Sequence, residues 1–456
     1  MPKNKVALIS PSQKHIYGHP PPYPPLSLMQ ISSVLKQDNY KTIFIEQDFY
    51  SPGEFQKTIS DPDIICIFIT STSPLMVEVK KLIEKIKLFS SAPVFLGGPH
   101  AMAVGRAALI PGLDYLFTGE GENQVLPIVN CLTGKESLRD VPGLISREFS
   151  NPPDELITDL DSLPLPDYSL AQPWNRYQPP EAKNLPAVPV MFSRGCRGNC
   201  CFCSTPRFWG RNPRRMSPYR AVELIEKVIT EQNAKEIHIA DDDLTGDRRW
   251  MEQFCYLIRL KNFPVKFLFL NGLRAQNIDE DMLIQMKYAN FENVGFGVES
   301  GNQEIYRKIG KNIPFSQLNR AIHLSHKFGM VTWGFYIFGL PGENRFTATQ
   351  TIQHAIKHEI SVAKFFILQP YPGTPIHDLY ENLGYLKSPP VYSLYDQPVI
   401  ELPQLTLDDL ISIRRQAYLK FYFNIKKILG FIKIINKFSL RTLVSSAGFV
   451  ARRMLS

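Results

Sequence analysis

A strand-sized apolar run followed by a helix-sized amphipathic stretch recurs through most of this 456-residue chain, and that alternation limits the fold more than any other feature. In the first 145 residues the runs read KVALIS, KTIFIE, IICIFIT, PVFLGG and YLFTGE, each with a helical pattern behind it. Five βα units of this kind predict a doubly wound parallel sheet. Ligands of such sheets lie outside the carboxyl ends of the strands. There the chain places Thr72 and Ser73, Gly97 and Gly98 with His100 just beyond, and Gly119, Glu120 and Gly121. No G-x-G-x-x-G follows the first run, which argues against a dinucleotide.

Residues 146–186 interrupt the pattern with Pro152-Pro153, Pro164, Pro166 and Pro179-Pro180, and read as an extended linker. The alternation resumes over 187–395 with a strand entering a cysteine-rich stretch, then EIHIADD, VKFLFLNG, NVGFGVES, TWGFYIFG and AKFFILQP. Six βα units make a partial (β/α)6 barrel of the TIM type, whose functional groups belong at the carboxyl ends of its strands.

The cysteine-rich stretch runs SRGCRGNCCFC and holds four of the seven cysteines. Cys196, Cys200 and Cys203 stand in C-x3-C-x2-C spacing with Phe202 before the last. Three crowded thiolates suit zinc, copper(I) or an iron–sulfur cluster. No second cysteine or histidine pair follows to complete a zinc site. A four-iron cluster held by three thiolates keeps one iron open. Cys201 reads as a bystander.

The spacing resembles the radical S-adenosylmethionine enzymes, and the first half resembles their cobalamin-binding branch through Pro24-Pro25-Leu26-Ser27-Leu28, the GGPH at 97–100 and the GEGE at 119–122. The resemblance implies a 4Fe–4S cluster on Cys196, Cys200 and Cys203, with S-adenosylmethionine on the open iron and cobalamin in the first sheet. His15 and Gly18 fall where other cobalamin domains carry D-x-H-x-x-G, but Gln13 replaces the aspartate, so the resemblance implies cobalamin without a protein histidine ligand. Asp241 and Asp242 are expected near the amino group of S-adenosylmethionine, Arg274 near a carboxylate, and Glu299 and Ser300 (GVES) near its ribose. The backbone around Gly339 is expected to pair with adenine, with Glu343 fixing that turn. Methylthiotransferases of the same superfamily carry extra cysteines in the first domain; Cys66 and Cys131 read as core residues instead.

The resemblance implies reductive cleavage of S-adenosylmethionine and cobalamin-dependent methylation of an unactivated carbon in a small-molecule substrate, with lipid-like molecules among the candidates. Radical oxidative cyclisation or rearrangement of a tetrapyrrole- or lipid-like substrate is the alternative. A non-catalytic iron–sulfur and cobalamin sensor is a third reading, but it leaves the GVES and fifth-strand motifs without a use. No protein acid or base is legible; Tyr336 and His100 are candidates by position alone. An external low-potential electron donor is implied.

The net charge of +8 lies in the tail. Residues 404–456 carry ten Lys/Arg and two Asp, and the remainder balances at 41 of each sign. After Thr406, a helix cap, the sequence is aliphatic, aromatic and basic through 396–456. As one helix it brings Arg415, Lys426, Lys433 and Lys437 within about 40° of each other; Gly430 is where it could split. Such a face at 413–438 either lies on an anionic membrane or packs on the barrel with its lysines exposed. No recognition motif accompanies the charge, so nucleic acid is not an expected partner. The opening residues lack the apolar core of a secretory signal, and cysteines gathered in one metal-type motif suit a reducing cytoplasm.

Overall fold

Alternate residues of the first strand, β1 (Lys5–Ser10), feed two separate cores. Ala7 and Ile9 join Ile67, Ile69 and Leu82, while Val6 and Leu8 join Leu28, Phe68 and Phe95. A strand buried on both faces belongs inside a sheet covered by helices on both sides. The computed structural model, which describes residues 4–14, 19–134, 136–388 and 397–455, shows that arrangement. β1, β2 (Lys41–Glu46), β3 (Ile64–Thr70), β4 (Val94–Gly97), β5 (Tyr115–Phe117) and β6 (Leu144–Ile145) pair in the order β2-β1-β3-β4-β5-β6. All pairings are parallel except β5 with β6. The order reverses between β1 and β3, which opens a crevice at their carboxyl ends. The expected sheet is present; the antiparallel edge strand β6 was not anticipated.

This sheet belongs to a first unit, Met1–Tyr177, and a second unit comprises Gln178–Pro389 and Tyr395–Ser456. Within the first, the proline-rich segment is fastened along the helix Leu26–Gln37. Gln30 Nε2 donates to Pro164 O at 2.7 Å, and Ser32 Oγ donates to the Asp167 carboxylate at 2.7 Å.

The second unit contains β7 (Ala187–Val190), the short pair β8 (Ser193–Arg194) and β9 (Arg214–Arg215), then β10 (Glu236–Ile239), β11 (Lys266–Phe269), β12 (Asn293–Glu299), β13 (Val331–Phe338) and β14 (Val362–Ile367). Two parallel sheets, β7-β10-β11 and β12-β13-β14, form the two halves of the expected partial barrel. A short backbone bridge at Phe267 and Phe291 and one buried side chain join them. Asn293 Nδ2 donates to Phe269 O at 2.9 Å, and its Oδ1 accepts from Phe269 N at 2.7 Å. An amide side chain so placed mimics one rung of the missing ladder.

The tail is three helices, not one: Leu407–Tyr422, Ile425–Ile432 and Leu440–Leu455. Thr406 caps the first in a capping box with Asp409. The break falls at Phe423-Asn424, where Asn424 Oδ1 accepts from Lys426 N and Lys427 N and starts the next helix. Gly430 lies inside that helix and splits nothing. Among the described residues no helix is long and apolar enough to cross a membrane.

Replacing Asn293 by Ala strands the buried N–H and C=O of Phe269. Its urea midpoint is expected to fall by the equivalent of about 2–4 kcal/mol; a midpoint equal to the parent's would show that the halves hold together without this stitch.

Candidate active site

The cysteine loop hangs from one buried carboxylate. Asp241, at the end of β10, is 4% exposed. It accepts from Phe192 N at 3.1 and 3.0 Å and from Ser193 Oγ at 2.5 Å. Burial pushes this carboxyl up to about 7, against the opposing pull of those donors. The expectation that Asp241 meets a ligand's amino group is therefore corrected, because its oxygens serve the strand that leads into the loop.

Beyond Ser193, contacts at Cys201 also fix the loop. Cys201 N donates to Ile309 O at 3.0 Å, and Ile376 N donates to Cys201 O at 3.0 Å. Gly310 has φ +81°, and a Cβ there would fall 2.3 Å from Asn199 O. Only glycine allows the two segments to meet so closely.

Burial raises the thiols of Cys196, Cys200 and Cys203, that of Cys200 to about 11. The three act on one another electrostatically, and Gly198 sits between two of them: a Cβ there would lie 3.3 Å from Cys196 Sγ and 3.9 Å from Cys200 Sγ. Cys201 stands apart from these charges. Phe202 is half-buried in the same loop. Among the described residues no three His, Cys, Asp or Glu side chains converge on a single ion. A four-iron cube takes each thiolate at a different iron, so a three-thiol loop of this width suits a cluster better than one metal ion.

Polar ends of three neighbouring strands converge on this loop. Asp242, half-buried after β10, accepts from Thr205 Oγ1 at 3.3 Å and bears on Cys203. Asp243 accepts from Arg197 N at 3.3 Å, and its Oδ1 lies 3.7 Å from Arg274 Nε, beyond β11. Both groups bear on Cys196. Asp243 is thus more than a helix start; Asp247 is the cap, accepting from Trp250 N. Glu299, at the end of β12, holds φ +60° and lies 3.0 Å from Lys311 Nζ. Burial disfavours the Lys311 ammonium, but Glu299 outweighs it and raises its pKa. Lys311 in turn opposes the upward shift of Cys200. Sequence reasoning missed Lys311, since a single lysine after a helix carries no spacing signal.

Other expectations are redirected. Ser300 is fully buried, with its Oγ 3.2 Å from Thr351 Oγ1 and accepting from Asn302 N at 3.1 Å, so it braces a helix. Gly339 has φ +91°, gives its N–H to Glu343 Oε2 at 2.5 Å and receives Tyr380 Oη on its carbonyl at 2.9 Å. Its own backbone groups are occupied and are not offered to adenine. Glu343 fixes that turn as expected, and burial pushes its carboxyl up to about 8. Tyr336 is fully buried against the helix layer, its Oη 3.2 Å from His354 Nδ1. It does not face the site.

Tyr336 and Phe365 pack outward onto His354 and Tyr418, so residues of opposite parity on β13 and β14 face the barrel interior. Trp333, Phe335, Ile337, Val362, Lys364 and Phe366 are all only half-buried there. The interior is open and mainly apolar. Among these six residues the one charge is Lys364, whose Nζ is 4.8 Å from the Trp333 ring centroid and 3.1 Å from the Glu181 carboxylate.

In the first unit, a Cβ on Gly97 would lie 2.2 Å from the Phe117 ring, and one on Gly98 (φ +99°) 2.8 Å from Ser71 O. Thr72 is exposed at this edge, and Gly119 and Gly121 are partly open. Ser73 Oγ is 2.9 Å from His100 Nδ1, and burial pushes that imidazole down to about 4, leaving it neutral. Glu120 accepts from Ile157 N at 2.6 Å. Ser73 and Glu120 thus hold the crevice together, while Thr72 and the glycines border it. His15 lies outside the described residues.

The family model of the radical SAM superfamily matches residues 190–355. An uncharacterized methyltransferase of Pyrococcus horikoshii is 30% identical over 421 residues, spanning 89% of each chain. The chain belongs to the radical S-adenosylmethionine superfamily, in its cobalamin-domain branch. Cytidylyl-2-hydroxyethylphosphonate methyltransferase of Streptomyces wedmorensis is 26% identical over 471 residues, covering 88% of this chain and 86% of that one. The anaerobic magnesium-protoporphyrin IX monomethyl ester cyclase of Cereibacter sphaeroides is 26% identical over 418 residues, covering 88% and 67%. A solved structure of the radical methyltransferase TsrM from Kitasatospora setae, with cobalamin and a 4Fe–4S cluster bound, covers 86% of this chain and 80% of its own, with TM-score 0.71 and 17% identity. At that identity the match speaks for the fold of this radical enzyme.

Glu343 yields a pH signature. An acid held protonated by the fold binds more protons folded than unfolded, so its contribution to stability falls as pH rises from about 4.5 toward about 8. Glu343→Gln is expected to flatten that decline in urea titrations across the window. An unchanged slope would mean that the carboxyl ionises normally.

Proposed function

We propose that this chain reductively cleaves S-adenosylmethionine at a 4Fe–4S cluster and, with cobalamin, methylates an unactivated carbon of a small, apolar substrate. The supporting observation is the convergence of three strand ends on a three-thiol loop at the mouth of an open, apolar barrel. In this reading residues 1–145 form the cobalamin domain, 146–186 the linker, 187–395 the radical core and 396–456 a helical tail. Electrons come from an external low-potential donor. The protein is cytoplasmic and touches the inner membrane face peripherally through 413–438.

The residues divide the work. Cys196, Cys200 and Cys203 hold the cluster. Asp242, the one half-buried carboxylate of its triplet, receives the amino group of S-adenosylmethionine. Arg274, steadied by Asp243, faces its carboxylate. Glu299, held by Lys311, receives the ribose. Trp333, Phe335 and Phe366 exclude water from the substrate. Thr72, Gly97, Gly98, Gly119 and Gly121 border the crevice for cobalamin, where a side chain on Gly97 or Gly98 would clash with the chain itself. Bound in these places, the cluster supplies one electron to split S-adenosylmethionine and cobalamin carries the methyl group.

Oxidative cyclisation is the second reading, favoured by the cyclase relative and by the aromatic side chains on the inner faces of β13 and β14. One anaerobic assay separates the readings. The reconstituted enzyme receives cobalamin, S-adenosylmethionine and a low-potential reductant, and 5′-deoxyadenosine and S-adenosylhomocysteine are measured. Both products, with Cys203→Ala abolishing the first, are expected of a methylase. Deoxyadenosine alone moves the assignment to cyclisation or rearrangement. Neither product from a chain with an intact cluster by absorbance and spin resonance refutes the radical reading.

Lys311 adds a finer test. Lys311→Met leaves Glu299 as an unpaired, largely buried carboxylate next to Cys200. The Michaelis constant for S-adenosylmethionine is expected to rise about tenfold or more, while iron content stays at the parent's level. A parent-like constant would remove Lys311 from the site.

A further inference from the structure

The helix Ile425–Ile432 is inside out. Its inward side is held by a charge: Lys427 Nζ donates to His358 O at 2.5 Å and Ile360 O at 3.1 Å, and lies 5.0 Å from the Phe421 ring centroid. Its outward side is apolar: Ile425, Leu429 and Ile432 are 64%, 55% and 56% exposed, and Ile428 joins them. At ~100° per residue these four span about 100° of the helix, with Lys427 and Phe431 behind. A helix packed to stabilise a core shows the reverse. The apolar exposure continues through neighbours on both sides, at Phe423, Ile435, Leu440 and Val444.

Charge selects what such a face can meet. From residue 410 to the end the chain has ten Lys/Arg and no Asp or Glu. Lys426 and Lys433 are exposed at about 100° and 80° from Ile425, along one edge of the stripe. Two copies pairing through this face would bring cationic edges together with no acid in the segment to neutralise them. A bilayer with anionic headgroups suits both features. Isoleucine and leucine side chains enter the acyl boundary, and lysines reach up to phosphate on their own stems.

We propose that residues 423–444, centred on Ile425–Ile432, dock this protein on an anionic lipid surface. The inference gives the membrane contact of the proposed function a defined face and a lipid chemistry, and it rests on the tail alone.

The test uses the full-length, cluster-reconstituted protein and sedimentation with phosphatidylcholine vesicles, with and without phosphatidylglycerol, at low and high salt. Binding is expected with the anionic vesicles, weakened by salt. Lys426→Gln with Lys433→Gln lowers partitioning roughly thirtyfold. Leu429→Ser with Ile432→Ser lowers it by more than about tenfold. Tyr288→Ser, at an exposed aromatic outside the tail, leaves it unchanged. All variants keep the parent's cluster absorbance and its rate of deoxyadenosine formation in vesicle-free solution. Equal binding by parent and tail variants, or none by the parent, overturns the proposal. So does a dimer in light scattering that Leu429→Ser dissolves, because the face then belongs to a second copy. Vesicle binding by a chain that forms no deoxyadenosine leaves the docking intact and refutes the chemistry instead.

Discussion

The second unit depends on a buried carboxylate whose oxygens serve the chain itself. Asp241 sits at the end of β10 and accepts from the backbone and side chain of the segment leaving β7. It shares that work with Asp243, which accepts from Arg197 N, and with the far-side ties of Cys201 to Ile309 and Ile376. An ionised group in an apolar interior is costly unless its lone pairs are satisfied, and here satisfying them sets where the loop begins. Burial still raises its pKa despite those donors. Precision at the cysteines comes from support beneath them, as metal sites generally require.

Around the loop, charges are paired before any ligand arrives. Asp243 faces Arg274 on the Cys196 side, and Glu299 faces Lys311 on the Cys200 side. Each pair carries one group of each sign into a poorly solvated place, where the partner's charge offsets part of the cost of burial. The loop itself therefore meets preset dipoles. A zwitterionic ligand such as an amino acid suits such a rim, because both of its charges find partners without reorganising the protein.

The fold was largely legible because its signals are local and repeated. The runs KVALIS, IICIFIT and TWGFYIFG each became the expected strand, since an apolar run of that length flanked by turn residues has few other uses. The triplet Cys196, Cys200 and Cys203 was legible because the spacing alone puts three thiols on one loop. Side-chain direction was not. Asp241 and Asp242 are adjacent and chemically equal, yet one points into the chain and the other toward the loop. Ser300 follows Glu299 directly and turns to the opposite side, toward Thr351. Gly339 and Lys311 depend on partners far along the chain, Tyr380 and Glu299, which no local pattern announces.

The tail shows the same limit from another side. Read as a single helix, residues 406–438 gather four cations on one face, which suggests a cationic front with an apolar back. Asn424 breaks that register by capping a new helix, and the break changes which residues share a face. Arg415 then belongs to a different element from Lys426, and Lys427 turns inward to the carbonyls of His358 and Ile360. Once that ammonium is anchored, helical geometry forces Ile425, Leu429 and Ile432 to the outside. One asparagine thus decides whether the segment shows water its charge or its aliphatic side chains. Because packing one cation inward is what exposes the isoleucines, the outward stripe follows from the way the tail is held and is not a fraying end.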